Sequence, residues 1–192
     1  TWATLPTEGS NVVIRFLLAL DGAGGIPQTI AEEAQLKGDI VILETHDLYE
    51  NLGEKVRLFF KWTVDFCHVD PFKPTYILKT DDDSFVRIDE LLKELQRPEI
   101  PTSLLLYGRM MTKMPGGKNK RGKWDPDNRH YLQTWPTYPS GAAYIITIDV
   151  AKVFGYPVLP LEHHKNEDRR VGVVLFGYNI SYINAPRFYP WG

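Results

Sequence analysis

Cysteine is almost absent from this sequence: Cys67 is the only one in 192 residues. An internal disulfide is therefore excluded, and so is a zinc site built on several thiolates. The fold does not require an oxidising compartment. Cys67 falls on the apolar stripe of an expected helix, where it reads as a small core residue rather than a nucleophile. Long apolar runs are also lacking. None approaches the ~18 residues of a membrane-spanning helix, so membrane attachment is expected only through segments outside this chain. Nor is there an excess of one charge. Lys and Arg number 22 against 24 Asp and Glu, for a net charge of -2. No face is dominated by basic residues, so nucleic acid is not an expected partner. One local basic patch, Lys118 to Lys123, reads as a solvated loop or a phosphate contact. Repeats and low-complexity segments are absent.

What is present suits one domain with a sizeable core: 43% of residues are hydrophobic and 24% charged. The sequence opens on Thr1 and stops at Gly192, so a single domain over 1–192, excised from a longer chain, is the expectation. Val12 to Leu20 is a near-continuous apolar run, as for a strand buried on both faces. The glycine-rich loop after it, Asp21 to Gly25, lacks the dinucleotide and Walker patterns. Thr29 to Leu36 reads as a helix capped by Thr29 and stopped by Gly38. Asp39 to Leu43 is a second strand. Glu54 to Cys67 is the longest helix, with a stripe of Val56, Phe59, Phe60 and Val64.

The informative stretch is Tyr76 to Leu95. An apolar strand ends in Asp81-Asp82-Asp83, and Ile88, Leu91, Leu92 and Leu95 then mark an amphipathic helix. Three adjacent carboxylates repel one another unless a cation sits among them. Hard divalent ions take carboxylate oxygens and complete their shell with water and phosphate. A metal–diphosphate site is one reading. The other is that the acids cap the helix and complement its dipole. Further strands are expected at Leu104 to Gly108, Ala142 to Thr147 and Ile180 to Ile183. A short helix capped by Asp149 is expected to Phe154, while Val171 to Phe176 reads as helix or strand. Met110 to Tyr138 is aperiodic and long, the mark of a functional loop. Alternating strands and helices imply an α/β sheet that is mostly parallel, with ligands bound beyond the strand carboxyl ends.

Four motifs together resemble a known family. Asp47-Leu48-Tyr49-Glu50-Asn51-Leu52-Gly53-Glu54-Lys55 resembles D-x-Y-x-N-L-T-x-K, and Lys79 to Val86 resembles K-x-D-D-D-x-F-V. Lys123-Trp124 with Tyr138 to Tyr144 resembles a K-W and Y-P-x-x-x-S-G-x-x-Y block, and Glu167-Asp168 before Val171-Gly172 resembles E-D-V-x-x-G. This is the pattern of the β-1,3-galactosyltransferase group, glycosyltransferase family 31. The resemblance implies a GT-A fold, a Rossmann-like three-layer sandwich. It implies an inverting transfer of galactose or an N-acetylhexosamine from a UDP-sugar to a hydroxyl of a glycan or glycoprotein acceptor, making a β-1,3 linkage. It also implies Mn²⁺ or Mg²⁺ held by Asp81 and Asp83, with Asp82 turned toward the donor and Asp168 as the base.

Lys55 is expected near donor phosphate, Trp124 against a sugar face or in the core, and Gly141 where backbone approaches a sugar. Glu167 competes with Asp168 as base. His163 and His164 are adjacent, which does not suit two ligands on one helical face. The family's habit is the Golgi lumen, while a single cysteine equally permits the cytosol. Departures exist: Gly53 replaces Thr, Ser140 lacks a preceding Cys, no His follows His164, and Glu167-Asp168 is followed by Arg169-Arg170. They keep open a catalytically weak UDP-sugar or carbohydrate-binding module, and a metal-dependent phosphotransfer or hydrolase domain.

Overall fold

The computed structural model describes residues 12–67, 73–115, 133–158 and 166–188. The elements run β1 (Phe16–Leu20), α1 (Gln28–Lys37), β2 (Ile40–His46), α2 (Leu52–Phe66), β3 (Tyr76–Thr80), α3 (Ile88–Leu95), β4 (Leu105–Met111), β5 (Tyr138–Thr147), α4 (Ile148–Gly155), α5 (Glu167–Leu175) and β6 (Ser181–Asn184). None of the described helices is long and apolar enough to cross a membrane.

Local chemistry accounts for several boundaries. Gly38 ends α1 at φ 66°, a left-handed position that glycine adopts without strain, and its N–H donates to the Ala34 carbonyl. Thr29 is not the cap; Pro27 holds that place and no side chain caps the helix. Asp149 does not cap α4 either, because Thr147 precedes the helix. One Asp149 oxygen instead accepts the Leu104 N–H at 2.8 Å. Leu104 sits at a positive φ of 50°, and that bond holds the turn into β4. The segment read as helix or strand is helix α5, and it begins at Glu167, inside what looked like a polar turn.

The strands form two sheets. β1 pairs parallel with β2, and a second sheet has the order β3-β5-β4-β6. β5 runs antiparallel to both β3 and β4, while β4 and β6 are parallel. The expectation of a mostly parallel sheet is thus corrected: the sheet is mixed. Parallel neighbours need a helical crossover. The chain makes such a crossover between β3 and β4 through α3, although these two parallel strands are not neighbours, since β5 lies between them. It leaves β4 and returns along β5 with no described helix between, closed at its neck by a bridge between Pro115 and Thr134.

Side chains alternate across this sheet and build a core on each face. Ile77, Leu106, Tyr144 and Ile146 pack under α2, α4 and α5 with Phe60, Phe154, Val171 and Leu175. Leu105, Tyr107 and Ile145 face the other way, against Leu91 and Leu95 of α3 and Phe188. Helices therefore cover both faces, giving three layers. Phe60 meets Phe154 edge-on at 5.5 Å and is 1% exposed. Truncating such a ring to Ala costs ~3–5 kcal/mol. Cys67, at the end of α2, is only partly buried, and burial raises its thiol above the ordinary value.

Candidate active site

The site grows from the carboxyl end of β3. Ile77 and Lys79 lie on the same buried face of this strand. A lysine there must find anions, since an isolated buried ammonium is very costly. Lys79 is 7% exposed, and its ammonium donates to Asp81 Oδ1 at 2.5 Å and to the Gly141 carbonyl at 2.6 Å. Glu167 Oε2 stands 3.5 Å away. Burial alone would lower the Lys79 pKa, but the charges of Glu167 and Asp81 outweigh it and hold the value raised. Glu167 is 4% exposed, and its other oxygen accepts the Tyr144 hydroxyl at 2.5 Å. The chain Tyr144–Glu167–Lys79–Asp81 therefore ties β5, α5 and β3 together at one sheet edge.

Asp168 follows Glu167 in the first turn of α5. A Cβ placed on Gly141 would lie 3.6 Å from the Asp168 Cβ and 3.8 Å from its Oδ2. Those are ordinary contact distances, so residue 141 packs directly beside the Asp168 carboxylate. Burial, and then the negative charge of Glu167, push Asp168 up to about 6, against the backbone N–H of Arg169 and the charges of Arg169 and Lys79. Tyr49 faces the same acids. It is 41% exposed as a residue, yet lost hydration and the charges of Asp168 and Asp81 raise its phenol. Close packing fixes the helix that carries Asp168. A Cβ on Gly172 would stand 2.7 Å from the Tyr138 Cβ, so only glycine lets α5 lie this near β5.

The structure thus brings Asp81, Gly141 and Asp168 into one cluster, with Asp82 and Asp83 exposed in the turn beside it. Lys55 is not part of that network; it forms an ion pair with Asp47 at 3.0 Å. Trp124, His163 and His164 lie outside the described residues. Lys79, Tyr144 and the burial of Glu167 were missed from sequence. The signal for Lys79 was present: period-two alternation in β3 places it beneath the same face as Ile77.

The two departures after Asp168 have local explanations. Arg170 is 4% exposed and reaches Glu54 of α2 at 3.2 Å. The Arg169 guanidinium lies over the Trp135 ring, 5.2 Å from its centroid. Both side chains are structural ties to this chain's own partners.

Among the described residues, no three His, Cys, Asp or Glu side chains converge to hold a metal ion. An all-protein cage is not what the turn offers. Asp81 is already engaged by Lys79, with its side chain 41% exposed, and Asp82 and Asp83 are exposed hard-oxygen donors. That donor set fits a cation held by one or two carboxylates, whose remaining positions go to phosphate and water.

The class these features define is an α/β protein with an acidic centre at the carboxyl edge of a mixed sheet. The family model described as Galactosyltransferase matches residues 1–186. The chain belongs to the galactosyltransferase family. It is 28% identical over 186 residues to human β-1,3-galactosyltransferase 1, covering 96% of this chain and 56% of that protein. It is 30% identical over 189 residues to hydroxyproline O-galactosyltransferase GALT2 of Arabidopsis thaliana, covering 96% of this chain and 26% of that protein. Human β-1,3-galactosyltransferase 2 is 29% identical over 182 residues. The chain spans about half the length of the first of these relatives.

Proposed function

We propose that this chain carries the catalytic centre of an inverting glycosyltransferase of GT-A type. It would move galactose or an N-acetylhexosamine from a UDP-sugar to a sugar hydroxyl of a glycan or glycoprotein, forming a β-1,3 linkage. The observation that carries the reading is Asp168: a half-buried carboxyl raised to about 6, packed beside Gly141, on the sheet edge that also bears the three aspartates. A general base works best with a pKa near the operating pH. An ordinary surface aspartate would be a much weaker one.

In this reading Asp83 and Asp81 hold Mn²⁺ or Mg²⁺. When bound, such an ion neutralises charge on the departing nucleotide diphosphate. The chain's own residues do the rest. Lys79 fixes the Asp81 carboxylate through its 2.5 Å contact, and the same ammonium fixes Gly141 over Asp168. Glu167 is spent on Tyr144 and Lys79, which leaves Asp168 as the acid free to accept the proton of an acceptor hydroxyl. Asp82, exposed in the same turn, is the residue this reading turns toward the donor.

The full-length protein with UDP-galactose, Mn²⁺ and a panel of glycan acceptors should release UDP in step with sugar transfer. Asp83→Ala should bring release to background and abolish calorimetric Mn²⁺ binding. UDP binding without turnover across the panel would instead identify a binding module. Phosphate release without an acceptor would identify a hydrolase.

A further inference from the structure

A pocket of about 410 Å³ opens at the end of the same sheet, and none of the residues of the acidic cluster lines it. Sites for small molecules are typically ~300–1,000 Å³. It is built where β4 and β6 end and β5 begins, closed by the chain that leaves α5. Phe176, Tyr178 and Tyr182 give it three aromatic walls, and Thr112, Thr137 and Asn184 supply polar groups. These rings are not core residues: Phe176 is 72% exposed, Tyr178 42% and Tyr182 36%. Asn184 is held in place, because its Oδ1 accepts the Met110 N–H at 3.0 Å. That leaves its amide hydrogens as donors.

Charge narrows the occupant. None of the described residues lining the pocket is charged. A phosphate, a sulfated chain or an acidic peptide would enter without a counter-charge. A pyranose suits the lining better. Its C–H face is apolar and slightly positive at hydrogen, matching the negative face of an aromatic ring. Its hydroxyls need the mixed donors and acceptors that Thr, Asn and Tyr provide.

Position narrows the role. α5 connects the two places: Asp168 is in its first turn, and Phe176 follows its last residue. Eight residues of helix span ~12 Å. That exceeds the width of one pyranose ring, so a sugar in the pocket is not the one presenting its hydroxyl to Asp168. Trp135, whose ring lies under the Arg169 guanidinium, directly precedes the pocket residue Pro136 in the chain. We propose that this pocket is a remote acceptor subsite, which grips a neutral sugar beyond the unit that receives the hexose and so selects extended glycans over monosaccharides. The proposal rests on the transferase reading for its role, but the binding itself does not.

The test separates the two. Ligand-observed NMR on the full-length protein, without donor or metal, would compare galactose, lactose and a galactose-terminated neutral tetrasaccharide. Stacking on one ring is worth up to about tenfold in affinity. The tetrasaccharide should bind at least that much more tightly than galactose. Phe176→Ala and Tyr178→Ala should erase the advantage, and Phe176→Trp should keep it. Both rings are exposed, so these variants should fold normally. Equal affinity for all three sugars, no binding by any, or an advantage that survives Phe176→Ala with Tyr178→Ala would each overturn the subsite. UDP release is measured separately. If it is absent while length-dependent binding persists, the transferase reading falls and the sugar site stands.

Discussion

Replacing Asp168 by Asn should make the protein more stable and nearly inactive, and the stability gain should depend on pH. In the folded chain this carboxyl is raised to about 6 by burial and by Glu167. In the unfolded chain it titrates near 3.9. The folded state therefore holds the proton more tightly. Below about pH 4 the group is neutral in both states, and its stabilising contribution is complete. As pH rises through about 6, the folded state must bury a charge and that contribution is lost. Each pH unit between the two values is worth about 1.4 kcal/mol, so the cost at neutral pH is ~3 kcal/mol.

Asn has nearly the same shape and no charge. It also forgoes the charge-assisted bond from the Arg169 N–H to Oδ1, at 2.8 Å, which returns ~1 kcal/mol. A net gain of ~2 kcal/mol is expected, or ~4–8 °C in the unfolding midpoint of a chain this size. The assay is thermal unfolding of the full-length protein without donor or metal, at pH 7.5 and at pH 4. The variant should gain at the first and gain nothing at the second. UDP release should fall by ~10²–10⁴-fold, the usual worth of a general base. Full activity in the variant would remove Asp168 from the mechanism. A midpoint shift independent of pH would show that the carboxyl is not held neutral by burial.

Other outcomes follow from the same geometry. The rate of transfer under limiting substrate should rise with pH through about 6, as Asp168 loses its proton, and the rise should vanish in Asp168→Asn. Lys79→Met should lower stability by ~3–5 kcal/mol in denaturant titration, because Glu167, 4% exposed, loses its buried counter-charge. A loss within ~1 kcal/mol, the range of an exposed pair, would mean that the ammonium is solvated after all. Gly172→Ala should cost ~1–3 kcal/mol and reduce transfer, since a Cβ there meets Tyr138 at 2.7 Å and pushes the helix carrying Asp168 off β5. Unchanged unfolding and kinetics would refute that close approach.

Much of the frame was legible from residues. The 3.6-residue period placed α3 at Ile88–Leu95, and Gly38 ended α1 as expected. The galactosyltransferase family followed from motifs in the right order. What escaped was tertiary. The direction of β5 depends on how the chain returns from β4, and a strand's own sequence does not encode its direction. Asp149 looked like a cap because Asp before an apolar run usually is one, but Leu104 competes for its oxygen. Arg169 and Arg170 looked like damage to a motif. Their reasons lie at Trp135 and Glu54, distant in sequence and adjacent in space. Glu167 and Asp168 could not be told apart by spacing. They differ in partners: one is spent on Tyr144 and Lys79, the other faces a glycine.

The neck between Pro115 and Thr134 bears on how such a chain can diversify. These two residues bridge one another where the chain departs from β4 and comes back toward β5. The ladder below them keeps its pairing whatever is spliced into the excursion above. Closing a longer excursion costs only ~0.6 kcal/mol per doubling of its length. New specificities can therefore be grafted at this one clasp, while the aspartates that follow β3 keep their places.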